Sequence, residues 1–126
     1  MHFISIVNGH SVRLDAASQF GGYDQGPRPK ELMLSALTGC TGMDVVSLLN
    51  KMRVPFSGFS IEVKANLTQE HPKYYDRVHL IYRISASENN RDKIEKAINL
   101  SQEKYCGVSF MFKKFAEVSY ELVITT

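Results

Sequence analysis

Residues 29–52 constrain the fold more than any other stretch. Leu32, Met33, Leu34, Ala36, Leu37, Met43, Val45, Val46, Leu48 and Leu49 would cover nearly the whole circumference of a helix. A helix that is apolar all round is a buried one. Pro29 suits its first position, where a missing N–H costs nothing. The polar interruptions are small (Ser35, Thr38, Thr41 and Ser47), and Asp44 is the single charge within them. Gly39 and Gly42 each cost about 1 kcal/mol relative to alanine inside a helix, which predicts that something nearby needs the space they leave. Cys40 sits between them.

The flanking sequence changes period. Ile4 and Ile6 lead into Asn8-Gly9, and Val12 and Leu14 lead out. Asn-Gly accepts the positive φ angles of a tight hairpin, so a two-stranded ribbon is expected. Residues 18–29, with three glycines and two prolines, read as a loop. After Pro55, Phe59, Ile61, Val63, Ala65 and Leu67 alternate with polar neighbours. Val78, Leu80, Tyr82, Ile84 and Ala86 do so again beyond His71-Pro72. Two antiparallel strands with one wet face each are expected. Glu88-Asn89-Asn90 offers a helix cap. Ile94, Ala97, Ile98 and Ser101 form the inner stripe of a second helix ending near Lys104. One or two helical turns follow between Ser109 and Phe115, and Val118, Tyr120, Leu122 and Ile124 close the chain as a strand. The reading is one α+β domain over residues 1–126, a length that fits a single domain.

Composition excludes several function classes. A net charge of +2 with scattered basic residues gives no nucleic-acid surface. No run reaches the ~18 consecutive apolar residues of a membrane span, and the first residues lack a signal peptide's basic start and long apolar region. A cytoplasmic protein is expected, with no nucleic-acid or membrane partner. Two cysteines in a reducing compartment are more often reactive or buried than bridged. No Cys/His tetrad stands at zinc spacing, so neither a metal nor a cofactor is expected.

A buried cysteine is usually a small hydrophobe. Cys40 departs from that pattern in three ways: glycine and threonine neighbours, an acid one turn along at Asp44, and a second cysteine at Cys106. A peroxide-reducing cysteine must be a thiolate, whereas an unperturbed thiol has a pKa of ~8.5. The helix dipole fades after the first turn, so a cation is required. Arg28 precedes the helix and Arg53 follows it; Lys30 is weaker because an ammonium cannot make a two-pronged contact. Cys106 is a candidate resolving thiol, which would form a disulfide with the Cys40 sulfenic acid and needs Cα atoms within about 7 Å. Asp44 reads as a hydrogen-bonded acid that opposes a neighbouring thiolate. His71 and His79 fit turn and wet-face positions. Met43, Phe110, Met111 and Phe112 fit core packing or, failing that, an apolar channel. Tyr74 and Tyr75 fit the rim.

The stretch Pro29-Lys30-Glu31-Leu32 with Leu37-Thr38-Gly39-Cys40-Thr41-Gly42-Met43-Asp44-Val45-Val46 resembles the cysteine-bearing central helix of the OsmC/Ohr family. Leu100-Ser101-Gln102-Glu103-Lys104-Tyr105-Cys106-Gly107-Val108-Ser109 resembles its second-cysteine segment. The resemblance implies antiparallel strands around a long buried central helix, and an intertwined homodimer. It implies reduction of organic hydroperoxides, with Cys40 peroxidatic, Cys106 resolving, and a dithiol reductant such as a lipoyl-bearing protein. Peroxidases of the family orient the thiolate with an Arg in the pre-helix loop and a Glu near the helix start. Here Gly21-Gly22 is followed by Tyr23-Asp24, Arg28 stands out of register, and the family's Glu falls on Lys30 with Glu31 one residue later. The implied site is therefore Cys40 and Cys106 with Arg28, Glu31 or Arg53 in support. A hydrophobic-ligand-binding or redox-sensing protein on the same fold is the alternative.

Overall fold

The computed structural model describes residues 1–126. Two compact units can be distinguished, Met1–Ser35 and Ala36–Thr126. The first holds the ribbon of β1 (Phe3–Val7) and β2 (His10–Leu14), paired antiparallel with Val7 opposite His10. Asn8 and Gly9 both adopt positive φ, 51° and 80°, as the Asn-Gly signal requires. The following loop is organised by Asp15, which is buried and accepts the backbone N–H groups of Ala16, Tyr23 and Gln25. Burial alone would raise its pKa; the three N–H donors outweigh it and hold the carboxyl below its ordinary range. A Cβ on Gly22 would lie 2.1 Å from the Ala16 carbonyl oxygen, so only glycine fits this loop.

Helix α1 runs Pro29–Lys51 and starts where the proline signal placed it. In the second unit, β3 (Ser57–Leu67) pairs antiparallel with β4 (Tyr75–Ser85). The last strand, β5 (Glu117–Thr125), corrects the all-antiparallel expectation, because it pairs parallel with β4 from Arg77–Glu117 to Ser85–Thr125. A parallel pair needs a long crossover, and the segment between β4 and β5 supplies it. That segment holds α2 (Arg91–Leu100), a five-residue π turn (Ser101–Tyr105) and α3 (Gly107–Phe112). Sheet order β3-β4-β5 makes β4 central, and Val78, Leu80, Ile81, Tyr82 and Ile84 are buried along it. Ile94, Ala97 and Ile98 form the buried stripe of α2, as their spacing predicted. The cap before α2 comes from Ser87, whose hydroxyl accepts the Asn89 N–H, while Glu88–Asn90 form a short 3-10 turn.

The all-round burial expected of α1 is half met. Only the stripe Leu37, Thr41, Val45 and Leu49 is buried, and Met43 on another face is 77% exposed. By length and composition alone this helix is also apolar enough to cross a membrane. A Cβ on Gly42 would meet Ile61 Cδ1 at 3.3 Å, so this glycine lets β3 approach; one on Gly39 would meet nothing within 4 Å. Phe112 is core, whereas Phe110 and Met111 are exposed, so these residues do not line a channel together.

Candidate active site

Cys40 and Asp44 lie one turn apart on the same face of α1. Cys106 stands in extended backbone between the π turn and α3, where its sulfur accepts the Ser109 N–H at 3.3 Å and so caps α3. The crossover brings this cap against α1: Cys40 Sγ, Cys106 Sγ and an Asp44 carboxylate oxygen all lie within 4.8 Å of one another. Both cysteines are free thiols, with Cys40 partly exposed and Cys106 buried. Burial first, then the contact with Cys40 and the nearby Asp44 charge, push the Cys106 thiol up to about 11, with the Ser109 N–H pulling the other way. Two sulfurs and a carboxylate oxygen also form a donor set suited to a thiophilic cation.

Beneath the sulfurs runs a buried polar network. Ser101 O–H donates to Asp44 Oδ2 at 3.0 Å. The Thr41 hydroxyl lies 2.7 Å from both Ser101 Oγ and Tyr82 OH. Gln102 Nε2 donates to Tyr82 OH at 2.8 Å, and its Oε1 accepts from Ser109 O–H at 2.6 Å. Each hydroxyl carries one proton. With Ser101's proton on Asp44, Thr41 must donate to Ser101, and Tyr82 to Thr41. The chain thus runs Gln102, Tyr82, Thr41, Ser101 and ends on Asp44, which accepts from Ser101. No buried side-chain polar atom lacks a partner. The Tyr82 phenol, fully inside, is held above its ordinary pKa by burial against the opposing bonds from Thr41 and Gln102.

The expected supporting residues take other positions. Arg53 lies beyond the end of α1 and is exposed. Cys40 is eleven residues before that end, about 16 Å along the axis at 1.5 Å per residue, so Arg53 cannot reach the sulfur of its own chain. Arg28 and Glu31 do meet, though as a helix cap: Glu31 Oε1 accepts the Arg28 N–H at 2.8 Å, and the Glu31 N–H returns to the Arg28 carbonyl at 3.0 Å. The Arg28 guanidinium pairs instead with Asp24 at 2.6 Å and the Gly26 carbonyl at 3.2 Å. The side-chain bond to Asp24, the largest cause, raises its pKa. Asp44 is the satisfied acid that the sequence suggested. His79 bonds Ser119 and Glu121 on the wet face.

Sequence reasoning missed Tyr82, Gln102 and Ser109 as parts of the site. Their signal was weak: a tyrosine in a buried aliphatic strand, and a polar pair where the apolar stripe of α2 should continue. The π turn has no signal at all, because Ser-Gln-Glu-Lys-Tyr is compatible with ordinary helix. Such turns are frequent at functional sites.

Comparison with known proteins bears on the family and the fold. The chain is 30% identical over 119 residues to protein YhfA of Escherichia coli strain K12, an overlap of 93% of this chain and 86% of that one. A hypothetical protein from Aquifex aeolicus VF5 superposes with a TM-score of 0.80 at 28% identity, over 99% of this chain and 89% of its own. The organic hydroperoxide resistance protein OhrB of Bacillus subtilis shares the fold, with a TM-score of 0.63 at 14% identity over 98% of each chain. The profile of the OsmC-like proteins matches residues 22–121. The chain belongs to the OsmC-like protein family.

Proposed function

We propose that this protein is a thiol-dependent peroxidase that reduces organic hydroperoxides to alcohols. The observation that carries the reading is the pair of free thiols, one partly exposed and one buried, whose sulfurs lie within 4.8 Å. Membership of a family whose structural relatives include organic hydroperoxide resistance proteins supports it. The Cys40 thiolate attacks the peroxide's terminal oxygen and the O–O bond breaks. The departing alkoxide takes a proton, leaving alcohol and a Cys40 sulfenic acid. Cys106 then attacks the Cys40 sulfur, forming the disulfide and releasing hydroxide, which leaves as water with the Cys106 proton. Asp44, in reach of both sulfurs, is placed to carry that proton. A dithiol, such as a lipoyl group on a protein partner, restores both thiols by exchange. Burial protects Cys106, while exposure lets Cys40 meet substrate first.

The working unit is a homodimer in the cytoplasm. Support for the dimer comes from the bare apolar faces of α1 and the ribbon, where Met43 is 77% and Phe3 69% exposed. A second reading, retention of an apolar small molecule, is favoured by an open cleft of about 710 Å³ between α1 and β3, lined by Gly39, Gly42, Met43, Val46, Phe59 and Ile61 among others.

The test is consumption of tert-butyl hydroperoxide with a dithiol reductant. Wild type should turn over. Cys40→Ser should be inactive, Cys106→Ser oxidised without reductant should hold the Cys40 sulfenic acid where wild type forms the disulfide, and Arg28→Lys should report whether that guanidinium assists. Turnover by Cys40→Ser equal to wild type would rule the peroxidase out. An inactive wild type that retains a hydrophobic ligand in native mass spectrometry would favour the cleft.

A further inference from the structure

We propose that the reduced thiols of Cys40 and Cys106, with the Asp44 carboxylate, bind a thiophilic divalent cation, Zn²⁺ being the best match, and that metal and disulfide compete for the same two sulfurs. The three donor atoms come from two separate elements and all lie within 4.8 Å of one another. Zinc binds sulfur at ~2.3 Å and carboxylate oxygen at ~2.0–2.2 Å in a tetrahedron. The edges of a tetrahedron that size are about 3.5–3.8 Å, so small side-chain rotations close the set.

Two of the three donors are already held in place. Ser109 N–H fixes the Cys106 sulfur, and Ser101 O–H fixes the Asp44 carboxylate through a chain of hydroxyls reaching Tyr82 and Gln102. Hydrogen bonds of this kind behind the ligands tune metal affinity. Two thiolates select zinc-like cations over magnesium or calcium. Asp44 also borders a hollow of about 310 Å³ with Ser47, Leu48, Lys51 and Tyr105. Lys51 and Tyr105 are the other titratable groups at its rim.

Metal binding moves no electrons and releases the thiol protons to solvent, whereas oxidation to the disulfide removes two electrons and both ligands. The inference does not depend on peroxidase activity.

The test titrates the reduced, metal-free full chain with Co²⁺ as a spectroscopic probe, and then with Zn²⁺ against a chromophoric chelator. One Co²⁺ per chain should bind with sulfur-to-cobalt charge-transfer absorption and the visible bands of a tetrahedral site. Zn²⁺ should displace it and release protons into weak buffer. Protein oxidised with diamide should bind no cobalt in this way. Asp44→Asn should weaken zinc binding about tenfold or more, and Asp44→Cys should restore it, which separates loss of a ligand from loss of fold. Absence of the charge-transfer band would overturn the proposal. So would zinc affinity that is unchanged in Cys40→Ser, in Asp44→Asn or in the oxidised protein, which would place the metal on surface histidines.

Discussion

Thr41 joins the two chemistries of the site, packing on the core side of α1 and bonding both Tyr82 and Ser101 within the fully buried network. Replacing it by valine keeps the shape and removes the hydroxyl, leaving buried groups short of a partner. Such a loss costs about 1–3 kcal/mol. Thr41→Ser keeps the hydroxyl and gives up one methyl, about 0.8 kcal/mol. Urea denaturation should therefore rank the valine variant below the serine variant. Equal stabilities would mean that the hydroxyl network contributes nothing net. Cys106 supplies a second measurement at this scale. Its folded thiol is pushed up to about 11, whereas an unfolded thiol titrates near its ordinary value. Between those values the unfolded chain binds fewer protons, so stability falls as pH rises through the window. Tyr82 and Tyr120, also raised by burial, act in the same direction from a higher starting point. Reduced wild type should therefore lose stability between about pH 9 and 11, and Cys106→Ser should lose less. Parallel curves for the two proteins would show that the thiol is not shifted.

At the scale of elements, legibility followed the physical strength of each signal. Asn8-Gly9 and Pro29 act on the backbone locally, so the ribbon and the start of α1 could be read directly. The alternation of β3 and β4 and the stripe Ile94, Ala97, Ile98 report burial, and these elements were also legible. Pairing is a non-local property: nothing in Val118 to Ile124 says that β5 runs parallel to β4. The proximity of Cys40 and Cys106 was likewise hidden, because it depends on a crossover and a π turn that carry no local mark. The distance of Arg53 from Cys40 of its own chain was hidden for a simpler reason, that adjacency to a helix end in sequence says nothing of the distance back along the axis. The observed order gives β4 hydrogen-bonded neighbours on both sides and leaves β3 and β5 at the edges. Hydrogen exchange should accordingly find the β4 amides the slowest in the sheet, opening only with global unfolding. If β5 amides outlast those of β4, the parallel pairing is incorrect.

For the whole molecule, the mismatch between the sequence of α1 and its burial is the main clue. The helix is apolar around nearly its full circumference, yet one chain covers only the stripe of Leu37, Thr41, Val45 and Leu49. Gly39 meets nothing, and Met43 is almost bare. The ribbon repeats the pattern, with Ile4 55% and Ile6 66% exposed on a two-stranded sheet that is marginal alone. Large exposed apolar side chains of this kind mark interaction sites, and a second copy of the chain is the partner proposed above. Full burial of a methionine contributes about 1.5–3 kcal/mol, and a carboxylate forced into the same place costs more. Met43→Glu should therefore leave the fold of a monomer intact, since the side chain is exposed there. It should also shift the dimer–monomer balance at least about tenfold, read by light scattering across a dilution series with circular dichroism as the control. A variant that stays dimeric at the wild-type concentration would place the interface elsewhere, and a wild type that is monomeric throughout would leave the bare face of α1 to a different partner.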